Sequence, residues 1–348
     1  MTEADNAHLD TIVVGAGAWG TALALMWHGD QTPVALIART DEKAQAINSL
    51  HENADNLPEI RLPESLIAYS LERDDAIRRV FARSPNAVIV LAAPAQATRA
   101  TLGQIQPYLQ ADQTLILTAK GLERDTGKRL TEVADEGVPG HTVAVLSGPS
   151  FAHDVARGLP TAVTLASQSI TEAEQIAARI QRPMFRPYVS DDLVGVQLGG
   201  ALKNVLAIAA GVIAGKGLGE SAKAALISRG FAEISRLSIA LGAHPETLSG
   251  LSGLGDLVLT CSTAGSRNFG FGERLGQGEA ISRLMKTGQP LAEGAKTAAA
   301  ALALGHEHGV DLPITAAVAA IVEDESSVDD VIAQLMTRPL KRESETRI

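Results

Sequence analysis

Apolar and polar residues fall along the first half of the chain in blocks rather than in strict alternation. Continuous apolar runs of strand length occupy residues 11–14, 33–38, 87–92, 114–118, 142–146 and 162–166. Between several of them lie stretches of helical character, at 21–28, 42–51, 75–82 and 96–109. Strands apolar on both faces and separated by helices predict a parallel sheet with helices on both sides, a doubly wound α/β domain over residues 1–190. After residue 190 the pattern changes. Segments 193–214, 222–241, 292–308 and 328–336 read as helices without strands between them, which predicts a mainly α-helical domain over 191–348.

Composition narrows the function. In 348 residues, 45% are hydrophobic and 20% charged, enough for a large buried interior and too apolar for a disordered chain. The net charge of -10 and an aromatic content of 3% argue against nucleic acid or an anionic membrane surface as partner. The one cysteine, Cys261, excludes an intrachain disulfide and fits a reducing compartment. The first ten residues are polar and acidic and do not read as a signal peptide, so a cytoplasmic location is expected. The eight histidines show no ligand spacing, no metal is expected, and no G-x-S-x-G elbow suggests a covalent hydrolase.

Gly15-Ala16-Gly17-Ala18-Trp19-Gly20 follows the first strand and opens the first helix. In that setting Gly15 permits the tight turn, Gly17 lets a pyrophosphate approach the backbone, and Gly20 lets helix and strand pack closely. The helix start then offers free N–H groups to phosphate, so the first domain is expected to be Rossmann-like and to bind NAD or NADP. At the end of the second strand, where an acid would hold an NAD ribose, the chain has Ala38-Arg39-Thr40. Arg39 would pair with a 2′-phosphate, so NADP is expected to be accepted, while Asp41 leaves NAD open.

Between residues 194 and 214 the only charged side chain is Lys203. A membrane span is one reading of such a run. Gln197, Lys203 and Asn204 near its middle, and the lack of a second such run, favour a buried helix of a soluble protein. Burial lowers a lysine's proton affinity and makes it a usable acid–base group near neutral pH. Gly199 and Gly200 are expected to leave room for a ligand on the same helical face. Asp256, within the apolar segment 250–259, is a candidate partner for that ammonium. Lys120, after the strand at 114–118, and the Ser147-Gly148-Pro149-Ser150-Phe151-Ala152 segment stand at strand ends, where ligands of open α/β sheets bind. Ser266-Arg267-Asn268 reads as a helix cap followed by a cation suited to phosphate, and Glu293 opens an alanine-rich helix.

Taken together, GAGAWGTALA, TAKGLE, SGPSFA, GVQLGGALKNV, GLGDLVLTC, SRN and the later Glu293-Gly294 pair resemble, in order and approximate spacing, the bacterial NAD(P)-dependent glycerol-3-phosphate dehydrogenase family. The resemblance implies reversible reduction of dihydroxyacetone phosphate to sn-glycerol 3-phosphate for glycerophospholipid synthesis, in a homodimer. By motif, Lys203 matches the family's catalytic proton acceptor, and Asn204 and Asp256 its neighbours in the active site. Lys120, Gly148, Ser150, Ser266, Arg267 and Asn268 match substrate-contacting positions. Ala18, Trp19, Arg39, Lys120, Ala152, Arg267, Leu291 and Glu293 match cofactor-contacting ones. Asn56 stands where the family often has tyrosine, and Phe269-Gly270 where basic residues commonly follow SRN. A related β-hydroxyacid dehydrogenase and a noncatalytic NADP(H)-sensing protein are the alternatives; the pairing of Lys203 with Asp256 disfavours the second, since sensing needs no acid–base pair.

Overall fold

The computed structural model describes residues 9–29, 31–263, 265–284, 293–323 and 326–340. Its strands are β1 (Thr11–Val14), β2 (Val34–Ala38), β3 (Glu52–Asn53), β4 (Leu57–Arg61), β5 (Ile67–Ser70), β6 (Val88–Leu91), β7 (Thr114–Leu117), β8 (Val143–Ser147), β9 (Thr161–Ala166) and β10 (Phe185–Ser190). Eight of them form one sheet in the order β10-β9-β8-β7-β6-β1-β2-β5, and β3 and β4 form a separate antiparallel pair. Pairing is parallel from β5 through β2, β1, β6 and β7 to β8, and between β9 and β10. β1, β2, β6 and β8 are buried along their whole length, as strands covered on both faces must be.

The two outer strands escape sequence reading because one side of each faces solvent. β10 carries Arg186 and Pro187, and a proline is tolerated at an edge where its missing N–H is not needed. β5 alternates buried and half-buried residues instead of running apolar throughout. From β1 the chain builds outward to β2 and β5, then returns to lay β6 on the opposite side of β1. The sheet order therefore reverses between β1 and β6, and the carboxyl ends of these strands frame the crevice where such folds bind ligands.

The helices accompanying the sheet are α1 (Ala18–Trp27), α2 (Asp41–Leu50), α3 (Asp74–Ala82), α4 (Thr98–Ile105), α5 (Leu130–Gly137), α6 (Ala152–Ala156) and α7 (Ile170–Ile180). The expected helix at 96–109 is broken instead into α4 flanked by two 3₁₀ turns, the second containing Pro107, which has no N–H to continue an α-helix. The helical part comprises α8 (Leu193–Gly215), α9 (Glu220–Ala240), α10 (Pro245–Ser249), α11 (Asp256–Ser262), α12 (Arg267–Gly276), α13 (Ile281–Leu284), α14 (Glu293–Glu307), α15 (Pro313–Val322) and α16 (Val328–Met336). A π-helical turn, Leu251–Gly255, leads directly into α11.

Two compact units divide the described residues: 9–119, 130–146 and 150–191 in one, 120–129, 147–149 and 192–340 in the other. The second unit is discontinuous in sequence, so a single boundary at residue 190 does not describe it. Leu122 is part of the helical unit's core, and Lys120 is ion-paired within it.

The centre of the helical unit is α8, buried from Gly195 to Ile213. Among the described residues it is the one helix long and apolar enough to cross a membrane, and 83% of its apolar window is covered by the protein itself. Its glycines serve packing. A Cβ at Gly211 would lie 2.1 Å from the Phe269 carbonyl oxygen, and one at Gly215 2.0 Å from that of Glu273. Reciprocally, a Cβ at Gly272 of α12 would lie 2.0 Å from the Ile208 oxygen. α8 and α12 thus touch backbone to backbone, which only residues without a side chain permit.

Candidate active site

The glycine turn lies where the sheet order reverses. Gly15 has φ +116°, and a side chain there would strike the Ala92 backbone, just beyond β6, at 2.9 Å. A Cβ at Gly20 would lie 1.9 Å from the Gly15 oxygen, so helix and turn are in direct contact. At Gly17 a Cβ would meet nothing within 4 Å, so this face of the turn is open. Tight turn, open face and close packing are the three requirements of a dinucleotide cradle. The α1 terminus carries no side-chain cap, leaving its N–H groups to a ligand. Ala18 and Trp19 are its first two residues, with Trp19 packed against the sheet's core.

Sequence reading missed the residue that holds this turn. Asn53, buried to 1% exposure, donates through Nδ2 to the Ala16 carbonyl at 2.9 Å and to Thr21 Oγ1 at 2.7 Å. Asn56 in turn donates to Asn53 Oδ1 at 3.2 Å, so the asparagine at the atypical position supports the turn through its neighbour. No periodic signal marks such a polar residue in a two-residue strand.

Arg39 is exposed immediately after β2. Asp41, the nearby acid, is engaged elsewhere: it ion-pairs with Arg73 and accepts from Gln45 Nε2 at 2.7 Å. The hydrogen bond from Arg73 holds its carboxyl below the usual carboxylate range. Ala152 opens the short helix α6 in the same unit, just after Ser150.

In the helical unit, Lys203 projects from α8 and is 6% exposed. Its Nζ donates to Asp256 Oδ1 and, at 2.7 Å, to Thr260 Oγ1. Asp256 opens α11 and Thr260 follows one turn later on the same face, its hydroxyl donating to the Asp256 carbonyl at 2.6 Å. The other carboxylate oxygen of Asp256 takes Lys120 Nζ at 2.7 Å, and that ammonium also donates to the Gly148 carbonyl at 2.8 Å. Asn204, next to Lys203, donates from Nδ2 to the Lys120 carbonyl at 3.1 Å. The structure thus brings Lys120, Gly148, Lys203, Asn204 and Asp256 together, and adds Thr260. The i, i+4 spacing of Asp256 and Thr260 was the available signal for the last.

Two ammonium groups share one carboxylate in this cluster. Burial first, and the Lys120 charge second, bring Lys203 down to about 7, against the holding effect of Asp256. Burial pushes the neighbouring Cys261 thiol up to about 12, so that cysteine is an inert core residue.

Gly199 and Gly200 do not leave room for a ligand. A Cβ at Gly199 would lie 2.8 Å from the Ser252 carbonyl oxygen, in the π-helical turn. One at Gly200 would lie 2.6 Å from Ser147 Oγ and 3.5 Å from Lys120 Cγ. Both glycines instead admit protein: the turn that sets Asp256 opposite Lys203, and the stem of Lys120. Ser147 Oγ, wedged there, is buried without a hydrogen-bond partner among the described residues.

Most of the remaining positions lie at the starts of α12 and α14. Ser266 caps α12, its Oγ accepting from the Phe269 amide at 3.3 Å, and Arg267 is exposed at the first position of that helix. Asn268 accepts the Gly294 amide through Oδ1 at 3.1 Å, securing the start of α14 beside Glu293. A Cβ at Gly294 would lie 2.4 Å from the Asn204 oxygen, so α14 begins against α8 next to Lys203. Phe269, where basic residues were expected, is 6% exposed and belongs to the core, while Gly270 borders open space. Leu291 lies outside the described residues. Among the described residues no group of histidine, cysteine and acidic side chains could hold a metal.

Comparison with known proteins covers nearly all of the chain. Residues 11–173 match the family model of the NAD-dependent glycerol-3-phosphate dehydrogenase N-terminus, and residues 192–333 that of its C-terminus. The glycerol-3-phosphate dehydrogenase [NAD(P)+] of Methylobacterium radiotolerans is 50% identical over 334 residues, covering 96% of this chain and 98% of its own. That of Parvibaculum lavamentivorans is 46% identical over 343 residues, with coverage of 97% and 99%. A crystal structure of glycerol-3-phosphate dehydrogenase from Coxiella burnetii superposes with a TM-score of 0.87 at 34% identity, covering 95% of this chain and 99% of that one.

Proposed function

The chain belongs to the NAD-dependent glycerol-3-phosphate dehydrogenase family, and from that premise we propose that Lys203 is the proton donor and acceptor for interconversion of dihydroxyacetone phosphate and sn-glycerol 3-phosphate. The observation that carries this reading is the buried Lys203 ammonium, bonded to Asp256 and Thr260 and tuned to about 7. A group poised there both gives and takes a proton efficiently at neutral pH.

The cofactor, NAD or NADP, would supply the hydride from its reduced form in reduction and take it up in its oxidised form in oxidation. Gly15, Gly17, Gly20, Ala18 and Trp19 would hold its pyrophosphate side and Arg39 a 2′-phosphate, with Ala152, Arg267, Leu291 and Glu293 completing its contacts; the open face at Gly17 suits this. In reduction, Lys203 Nζ gives its proton to the oxygen that was the carbonyl and is left neutral. In oxidation it takes the proton back from the substrate hydroxyl. Asp256 orients the ammonium, Thr260 fixes its direction, and Asn204 braces the backbone of Lys120. Lys120, Gly148, Ser150, Ser266, Arg267 and Asn268 would bind the substrate, the cations meeting its phosphate. A cytoplasmic homodimer serving glycerophospholipid synthesis belongs to the same reading.

Oxidation of NADPH and NADH by purified protein on addition of dihydroxyacetone phosphate tests it. Turnover with both cofactors is expected, and turnover with 3-hydroxy acids instead would move the chain's activity to the β-hydroxyacid dehydrogenases. Sedimentation equilibrium at micromolar protein is expected to return twice the chain mass.

A further inference from the structure

Regular structure holds the glycine turn at its two ends. The Gly15 amide donates to the Ile37 carbonyl of β2 at 2.8 Å, and the Gly17 carbonyl takes the Thr21 amide of α1 at 2.9 Å. The Ala16 carbonyl between them is held by a side chain instead, Asn53 Nδ2 at 2.9 Å. Asn53 is delivered there by the β3–β4 pair, whose Leu57 packs against Ala22 of α1. Its other Nδ2 hydrogen goes to Thr21 Oγ1 at 2.7 Å, and its Oδ1 takes Asn56 Nδ2 at 3.2 Å. A carbonyl oxygen only accepts, so the Ala16 bond fixes which end of the carboxamide faces the turn.

In a trans peptide the C=O and N–H point in opposite directions, and no described peptide bond is cis. Tying the Ala16 oxygen to Asn53 therefore turns the Gly17 N–H away from Asn53. No backbone carbonyl among the described residues takes that N–H, and a Cβ on Gly17 meets nothing within 4 Å.

We propose that Asn53 is a positioning residue for the dinucleotide: by pinning the Ala16 carbonyl it aims the Gly17 amide at the pyrophosphate and sets the affinity for NAD and NADP alike. This role rests on the cofactor site proposed above and deepens it. Without Asn53 the Ala16–Gly17 peptide rotates, and for part of the time an oxygen faces the phosphate in place of the N–H. Apparent affinity falls with the fraction of molecules that present the donor. The pyrophosphate is common to both cofactors, so the loss is the same for each, whereas the loss expected at Arg39 falls on NADPH alone.

Fluorescence titration of the full chain with NADH and with NADPH measures both dissociation constants. Asn53→Leu, similar in shape and without hydrogen-bonding groups, should weaken both by about tenfold, the worth of one hydrogen bond to an ionised group. At saturating NADPH its kcat should stay within about twofold of the parent, as for a loss of uniform binding. Thr21→Val is the control, since it removes the other Nδ2 partner and spares the Ala16 bond. It should lower Tm while both dissociation constants stay within about twofold. Should Asn53→Leu not fold, Asn56→Ala decides: Asn56 is exposed, and its loss frees Asn53 Oδ1 and should weaken both cofactors about threefold.

Unchanged affinity in the deciding variant, a loss confined to one cofactor, or an equal loss in Thr21→Val would each overturn the proposal. Gly17→Val tests the site itself, because its extended backbone (φ -79°, ψ -179°) and open surroundings accept a side chain that would cover the N–H. Binding lost there and kept in Asn53→Leu would remove only the role of Asn53. Binding unchanged in Gly17→Val would remove the cradle, and the role of Asn53 with it.

Discussion

Lys203 has an aliphatic helix behind it and a carboxylate in front, and the chemistry follows from that asymmetry. Replacing it with alanine should leave NADPH binding intact while kcat falls by roughly 10²–10⁴-fold, which fluorescence titration and steady-state rates would separate. In the free protein the ammonium is lost as pH rises through about 7, so kcat/KM for reduction should decline above that value and kcat/KM for oxidation below it. Parallel profiles in the two directions would contradict the assignment. Ser147 sits nearby with a buried hydroxyl that bonds to nothing described. Its alanine variant is expected to match or exceed the parent Tm in differential scanning calorimetry, because an unsatisfied buried hydroxyl costs about 1–3 kcal/mol. Arg39, exposed and clear of the Asp41–Arg73 pair, should discriminate cofactors: Arg39→Ala should raise KM for NADPH about tenfold or more and leave that for NADH nearly unchanged.

At the scale of elements, the α8–α12 contact is set by glycines on both helices. Gly272→Ala forces a methyl onto the Ile208 carbonyl, and overpacking of this kind costs about 1–3 kcal/mol or more, readable as a lower urea midpoint. Glycines in α8 were visible in the sequence, but the pattern did not tell helix packing from space for a ligand. The α9–α15 contact adds a pH dependence. Glu233, 2% exposed, accepts the Ile314 and Thr315 amides at 2.8 and 3.2 Å, and burial pushes its carboxyl up to about 7. A raised acid binds its proton more tightly in the fold than in the unfolded chain, so its contribution is present below pH 4.5 and lost as pH rises through about 7. Tm should therefore decline across that window for the parent more steeply than for Glu233→Gln. Lys203 runs the other way: its lowered value favours the fold above 10.5, and that contribution is lost as pH falls through about 7.

Over the whole molecule, a long apolar stretch and a strongly acidic composition both acquire their meaning from context. α8 has the length and hydropathy of a membrane span, yet its neighbours in the helical unit cover it. The segments around Lys120 and Ser147 follow strands in the chain yet belong to that unit, because Leu122 enters its core and Lys120 pairs with Asp256. What the chain determines by itself is local or periodic: buried strands as apolar runs, the glycine turn, the cap at Ser266, one lysine isolated in an apolar helix. It also carries the order of motifs that identifies the family. What tertiary structure alone decided is who meets whom across long separations. Asn53 reaches the glycine turn, Lys120 and Lys203 divide the two oxygens of Asp256, and glycines expected to admit a ligand admit backbone instead. Such contacts depend on distances between segments far apart in sequence, which no pattern of 2 or 3.6 residues encodes.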